Sequence, residues 1–218
     1  MSSQTLRGSL LLFLCAGCAV NLMAANVPAP AADLPPAGNG KVATVVLAGG
    51  CFWGVEAVYE RLNGVIAVVA GYAGGKAADA QYEKVSGGHT GHAESVQITY
   101  DPSRVSYGKL LQVFFAVVHD PTQYNRQGPD VGSQYRSVVF YSSDAQKKVA
   151  QAYIAQIERA KVFRDPIATV VSVLPGFFPA EGYHQHYIQQ NPGNPYVVAN
   201  DLPKLKALEQ QFPDLLKP

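Results

Sequence analysis

Lys41-Val-Ala-Thr-Val-Val-Leu-Ala-Gly-Gly-Cys51-Phe-Trp-Gly-Val-Glu-Ala-Val-Tyr-Glu-Arg-Leu62 is the stretch that decides the fold. Lys41 to Ala48 is a short, nearly unbroken apolar run with repeated valine, so it reads as a buried strand. Gly49-Gly50 breaks it. From Phe52 to Leu62, Val55, Ala57, Val58 and Leu62 recur at helical spacing. The unit is strand, sharp turn, helix, with a cysteine at the turn.

Downstream, Val65–Ala70 reads as a second strand closed by Gly71-Tyr72-Ala73-Gly74-Gly75. Residues 76–93 form a polar loop, long enough inside a compact domain to be functional. Glu94–Tyr100 alternates as a strand and stops at Asp101-Pro102. Ser106 is placed to cap a helix to about Val118, and Ser143 a helix to about Lys161 with Val149, Ala152, Tyr153, Ile157 and Ala160 as its core stripe. Tyr135–Tyr141 and Ala168–Leu174 read as strands. An aromatic loop, 175–196, and a short terminal helix near 203–216 follow. The order β-α-β-β-α-β, then α-β, predicts an α+β fold: a ferredoxin-like split βαβ two-layer sandwich with an additional C-terminal helix and long loops.

Upstream, Arg7 precedes an apolar run, Ser9–Val20, that is too short to span a bilayer comfortably and has the length of a signal-peptide core. Ala24 and Ala25 offer a cleavage neighbourhood. Ala16-Gly17-Cys18 also resembles the end of a lipobox, with Cys18 as lipid anchor. Residues 1–25 are therefore expected to be a signal peptide or lipoprotein leader, residues 26–40 a flexible Pro/Ala/Gly-rich tether, and residues 41–218 the working domain. That predicts export to the periplasm or cell envelope. Hydrophobic residues make up 48%, charged residues 15%, and the net charge is +1. This balance supports a packed core, and nothing in it points to nucleic acid.

Cysteines stand at 15, 18 and 51. Without the leader one thiol remains, which excludes an internal disulfide framework and the usual multi-cysteine zinc site but allows a nucleophile. At a helix start, free N–H groups and the positive dipole end are expected to stabilise a Cys51 thiolate. Glu94 heads the strand row that also holds Val96, Ile98 and Tyr100. Desolvation there should raise its pKa and keep it protonated, the state a general acid needs. His184 and His186 sit two apart, but no cysteine or paired carboxylate converges on them in sequence, so no metal is expected.

Gly50-Cys51-Phe52-Trp53-Gly54-Val55-Glu56 resembles the signature of the peptide methionine sulfoxide reductase A family. Thr90-Gly91-His92-Ala93-Glu94, Asp130-Val131-Gly132-Ser133-Gln134-Tyr135-Arg136-Ser137 and Tyr183-His184-Gln185 resemble its later motifs, in family order. The resemblance implies reduction of the S epimer of methionine sulfoxide, free or in oxidised proteins, by a monomer without bound cofactor. It implies Cys51 as nucleophile, Glu94 as acid, and Tyr82 and Tyr135 as hydrogen-bond donors to the sulfoxide oxygen. Phe52 and Trp53 would hold the substrate methyl group, Asp130 would lie near the substrate, and His184 would act indirectly. Ser86 stands where relatives often have cysteine, and no cysteine follows residue 51. An external thiol, thioredoxin-like, glutaredoxin-like or small, is then required to reduce the resulting sulfenic acid. Two rival readings are a cysteine–histidine hydrolase using His89, His92, His119 or His184, and an envelope binding module using the aromatic loop.

Overall fold

A computed structural model describes residues 26–35 and 41–218; the expected leader, 1–25, and residues 36–40 lie outside the described residues. Among the described residues eight strands are formed: β1 (Ala43–Gly49), β2 (Val65–Ala73), β3 (Ala93–Tyr100), β4 (Arg126–Gln127), β5 (Asp130–Val131), β6 (Ser137–Tyr141), β7 (Val170–Val173) and β8 (Phe177–Pro179). Six α-helices join them: α1 (Phe52–Glu60), α2 (Tyr82–Val85), α3 (Tyr107–Val113), α4 (Asp144–Arg159), α5 (Tyr187–Gln190) and α6 (Leu202–Gln211).

The main sheet runs β7-β6-β1-β3-β2-β8. β3 lies between β1 and β2 and is antiparallel to both, and β6 is antiparallel to β1. β7 pairs parallel to β6, and β8 antiparallel to β2. The fold is α+β with a mixed sheet. β1 reads as a continuous apolar run because both of its faces are buried. Val45 and Leu47 join the large core with Val96, Ile98 and Tyr100, while Val46 and Ala48 join a smaller cluster with Val138 and Phe140. The two serines act as expected: Ser106 Oγ accepts from Lys109 N and Ser143 Oγ from Gln146 N, both at 3.2 Å. The helix expected to run to Val118 instead changes to π-type turns over Phe114–Val118, and a π-type turn, Val197–Asp201, leads into α6.

The tether expectation needs correction at residues 26–35. Val27 is buried in the main core. Tyr153 Oη donates to Pro28 O at 2.7 Å, Gln156 Nε2 to Ala29 O at 2.8 Å, and Gln112 Nε2 to Val27 O at 3.0 Å. Asp33 accepts from Gly108 N at 2.8 Å and from Ser106 Oγ at 2.5 Å. The segment has no periodic apolar pattern, but its backbone carbonyls and one carboxylate satisfy donors on α3 and α4. Among the described residues, no helix is long and apolar enough to cross a membrane.

Candidate active site

Gly50 turns β1 into α1 at φ +93°, a backbone that favours glycine, and a Cβ there would lie 2.7 Å from Gln127 Cβ and Cγ. Cys51 follows as the N-cap of α1. It is 8% exposed, so it borders the core and is not a surface thiol. The end of β3, next to β1 in the sheet, brings Glu94 beneath the same helix start. Glu94 Oε2 accepts from Phe52 N at 3.1 Å, and the carboxyl and the Cys51 thiol influence each other's ionisation. Val96, Ile98 and Tyr100 lie buried in the main core, so the period-two reading of this strand corresponds to the face Glu94 heads.

Burial raises the Glu94 pKa to about 8, with Asp130 adding to the rise and the Phe52 N–H opposing it. A protonated carboxyl is the resting state at neutrality. Cys51 differs from expectation: burial and the neighbouring Glu94 push its thiol well up, and the Trp53 N–H lowers it only in part. Desolvation beats the helix start because Cys51 is buried against the core. The resting group is therefore a thiol that must shed its proton when substrate arrives.

Tyr82 opens α2, and Tyr135 closes the 3₁₀ turn before β6. Both hydroxyls have raised pKa values, from burial first and then from Glu94, with Cys51 contributing to each. They remain donors at neutral pH. Tyr82 is held by its own backbone N–H, which donates to Glu181 Oε1 at 2.9 Å; the Tyr72 hydroxyl donates to the other oxygen at 2.8 Å. Asp130, on β5, accepts from the Tyr196 hydroxyl. Trp53 stacks on Tyr187 at 3.6 Å and meets Tyr196 edge-on at 5.9 Å. Its indole N–H donates to His184 Nδ1 at 3.2 Å, and the His184 ring lies 5.0 Å from Phe52 and 4.5 Å from Tyr82. The structure thus gathers Cys51, Phe52, Trp53, Tyr82, Glu94, Asp130, Tyr135 and His184 around one helix start.

Sequence reasoning missed Tyr196, Tyr187, Glu181, Asp201 and Lys204. Tyr187 and Tyr196 were visible as members of an aromatic loop, without a sign of which face they take. Among the described residues no hydrogen bond joins a histidine to Cys51, as the hydrolase reading would need. His119 Nε2 lies 2.6 Å from Ser137 Oγ, His92 Nε2 lies 3.0 Å from Lys76 O, and His184 Nδ1 takes the Trp53 indole. Glu94, held by the Phe52 N–H, is the titratable group with the largest effect on Cys51.

One group among the described residues has metal-ligand spacing: Glu56, Glu60 and His186, with donor atoms within 4.8 Å of one another. Two contacts link its members, and Glu56 Oε1 is left without a partner. His186 Nδ1 is 2.5 Å from Glu60 Oε1, and His186 N donates to Glu56 Oε2 at 2.8 Å. Burial, with Glu60 adding, raises Glu56 to about 7.

Residues 43–216 match the family model described as peptide methionine sulfoxide reductase. Peptide methionine sulfoxide reductase MsrA 2 of Synechocystis sp. is 53% identical over 193 residues, covering 88% of this chain and 90% of that protein. The protein of the same name from Mesorhizobium japonicum is 55% identical, covering 79% and 88%. Among solved structures, reduced Mxr1 from Saccharomyces cerevisiae aligns with TM-score 0.63 at 37% identity, over 72% of this chain and 89% of that one. Methionine sulfoxide reductase A of Corynebacterium diphtheriae aligns with TM-score 0.60 at 33% identity, over 71% and 77%.

Proposed function

The chain belongs to the peptide methionine sulfoxide reductase family, and from that premise we propose that Cys51 and Glu94 together reduce the S epimer of methionine sulfoxide, free or in oxidised proteins. The observation that carries this is the burial of the Cys51 thiol and of a carboxyl with pKa about 8 at one helix start, the carboxyl held there by the Phe52 N–H. A sulfoxide needs a nucleophile at sulfur and a proton at oxygen in the same step, and this pair holds both.

Cys51 Sγ attacks the sulfoxide sulfur as Glu94 gives its proton to the oxygen. The Tyr82 and Tyr135 hydroxyls stabilise charge developing on that oxygen. Phe52 and Trp53 form the apolar wall for the substrate methyl group, with Trp53 fixed by Tyr187 and His184. Asp130, bonded to Tyr196, lies beside the substrate. The oxygen passes to Cys51, leaving a thioether and a cysteine sulfenic acid, and the Cys51 proton restores Glu94. One external thiol then forms a mixed disulfide with release of water, and a second returns Cys51 to the thiol. Oxidative damage repair follows as the physiological role. We read the β6-β1-β3-β2 core as ferredoxin-like, extended by an added strand at each edge.

The test is single turnover with each epimer. The wild type should yield one equivalent of thioether from the S sulfoxide, and Cys51→Ser should yield none while keeping its fold. Turnover retained by the serine variant, or preference for the R epimer, would overturn the assignment. From the apolar run 9–20 we further propose export to the periplasm or envelope, by signal cleavage or through a lipid on Cys18. Fractionation should recover processed protein outside the cytoplasm; full-length protein in the cytosol would refute this.

A further inference from the structure

Gly54 has no room for a side chain, and what fills the space is charged. A Cβ there would run into Asp201 Oδ1 and would lie 2.8 Å from Lys204 Nζ. Gly54 stands in the first turn of α1, three residues after Cys51. Asp201 ends the π-type turn before α6 and is fully buried, and Lys204 is 9% exposed. The two form an ion pair at 3.1 Å, while Asp201 Oδ2 has no partner. A buried pair costs desolvation that apolar side chains of similar volume would not, so stability alone does not account for it.

The charged and titratable groups around the Cys51 sulfur come from four sides. Glu94 comes from β3, Tyr82 from α2, Tyr135 from the turn before β6, and Asp201, Lys204 and Tyr196 from the C-terminal segment. Asp130 and His119 also face Lys204. Lys204 is the cation of this set. Every other formal charge in it is negative or arises by losing a proton, apart from the buried His119, whose pKa is lowered to about 4 so that it is neutral.

We propose that Lys204 is a positioning residue for the reaction, stabilising negative charge on the Cys51 sulfur across the first turn of α1, with Asp201 holding the ammonium in place while opposing its field at the sulfur. The charge is that of the thiolate during attack and of the sulfenate afterwards. Gly54 is small so that this pair can approach. The proposal rests on Cys51 being the nucleophile, and it makes the two partners act with opposite sign.

The experiment is the rate of Cys51 alkylation by iodoacetamide against pH on the full chain, with Cys51→Ser as the blank for Cys15 and Cys18. Lys204→Met should move the midpoint upward and slow alkylation near neutral pH about tenfold, equivalent to one pKa unit. Lys204→Arg should restore most of the rate. Asp201→Asn should move the midpoint downward. Coincident profiles for wild type and Lys204→Met, or shifts of both variants in the same direction, would overturn the proposal. If circular dichroism shows that Lys204→Met fails to fold, Asp201→Asn decides it: a downward midpoint supports the proposal, and an unmoved or upward one overturns it. Sulfoxide reduction is measured in parallel on the wild type. Inactivity there brings down the enzymatic reading, whereas unmoved alkylation midpoints in an active enzyme bring down this one.

Discussion

Glu94 is the residue whose chemistry can be followed from spacing to pH profile. Period-two alternation places it at the head of an apolar row, and the row is buried. Burial then raises its carboxyl to about 8. The sign follows directly. The acid form is present below that value and is lost as pH rises through it, so the single-turnover rate of sulfoxide reduction should carry a descending limb above about pH 8. Glu94→Gln should lower the rate about 10²-fold, the range of a positioned general acid, and remove that limb. A limb that persists in the glutamine variant belongs to another group. Cys51 shows what spacing could not give. The helix start was legible, but not the cover of Glu94, Asp201 and the aromatic rings brought by distant segments, and that cover holds the resting thiol protonated.

At the scale of elements, local signals were legible wherever the chain talks to itself over a few residues. Ser106 and Ser143 start their helices from three-residue spacing, and β1 and β3 follow their apolar patterns. The Pro/Ala-rich segment 26–35 was misread because its partners, Gly108, Gln112, Tyr153 and Gln156, are far along the chain. Composition describes a segment's own freedom, not the donors waiting for it on α3 and α4. Asp33 does the work of a capping residue from a distance, accepting from Gly108 N in the first turn of α3 and from the capping Ser106 hydroxyl. Asp33→Ala should lower stability by about 1 kcal/mol, the worth of one cap, with single-turnover reduction unchanged. Thermal melts and turnover on the same sample check it; an unchanged melting temperature would show that the segment docks without stabilising the helix. Lys204 escaped reading for the same reason as Asp33. A lysine in a short terminal helix looks like a solvated charge until the fold sets it against Gly54.

For the whole molecule, the number and placement of thiols decide how the enzyme is reset. The chain has three cysteines, and Cys51 is the one among the described residues. Ser86 caps the end of α2 with its hydroxyl on Glu83 O at 3.3 Å, a contact a hydroxyl makes better than a thiol. Val198 on the C-terminal segment is half exposed and offers no sulfur either. A sulfenic acid condenses with a neighbouring thiol when one is in reach; where none is, it persists until an external thiol arrives. Oxidised with one equivalent of sulfoxide and no reductant, the protein processed before residue 26 should therefore gain the mass of one oxygen. It should lose its free thiol, react with a carbon-nucleophile sulfenate probe, and show no disulfide. Because Cys51 is 8% exposed, the reductant must offer a thiol on a narrow projection or as a small molecule, and a small dithiol should restore activity at least as readily as a bulky one. Cys15 and Cys18 make the idea vulnerable in a definite way. If the full chain forms an intramolecular disulfide after turnover while the processed chain accumulates sulfenate, the N-terminal cysteines reach the site and act as the resolving pair. If the processed chain itself forms a disulfide between protomers, resolution is intermolecular, and the prediction of a persistent sulfenate fails.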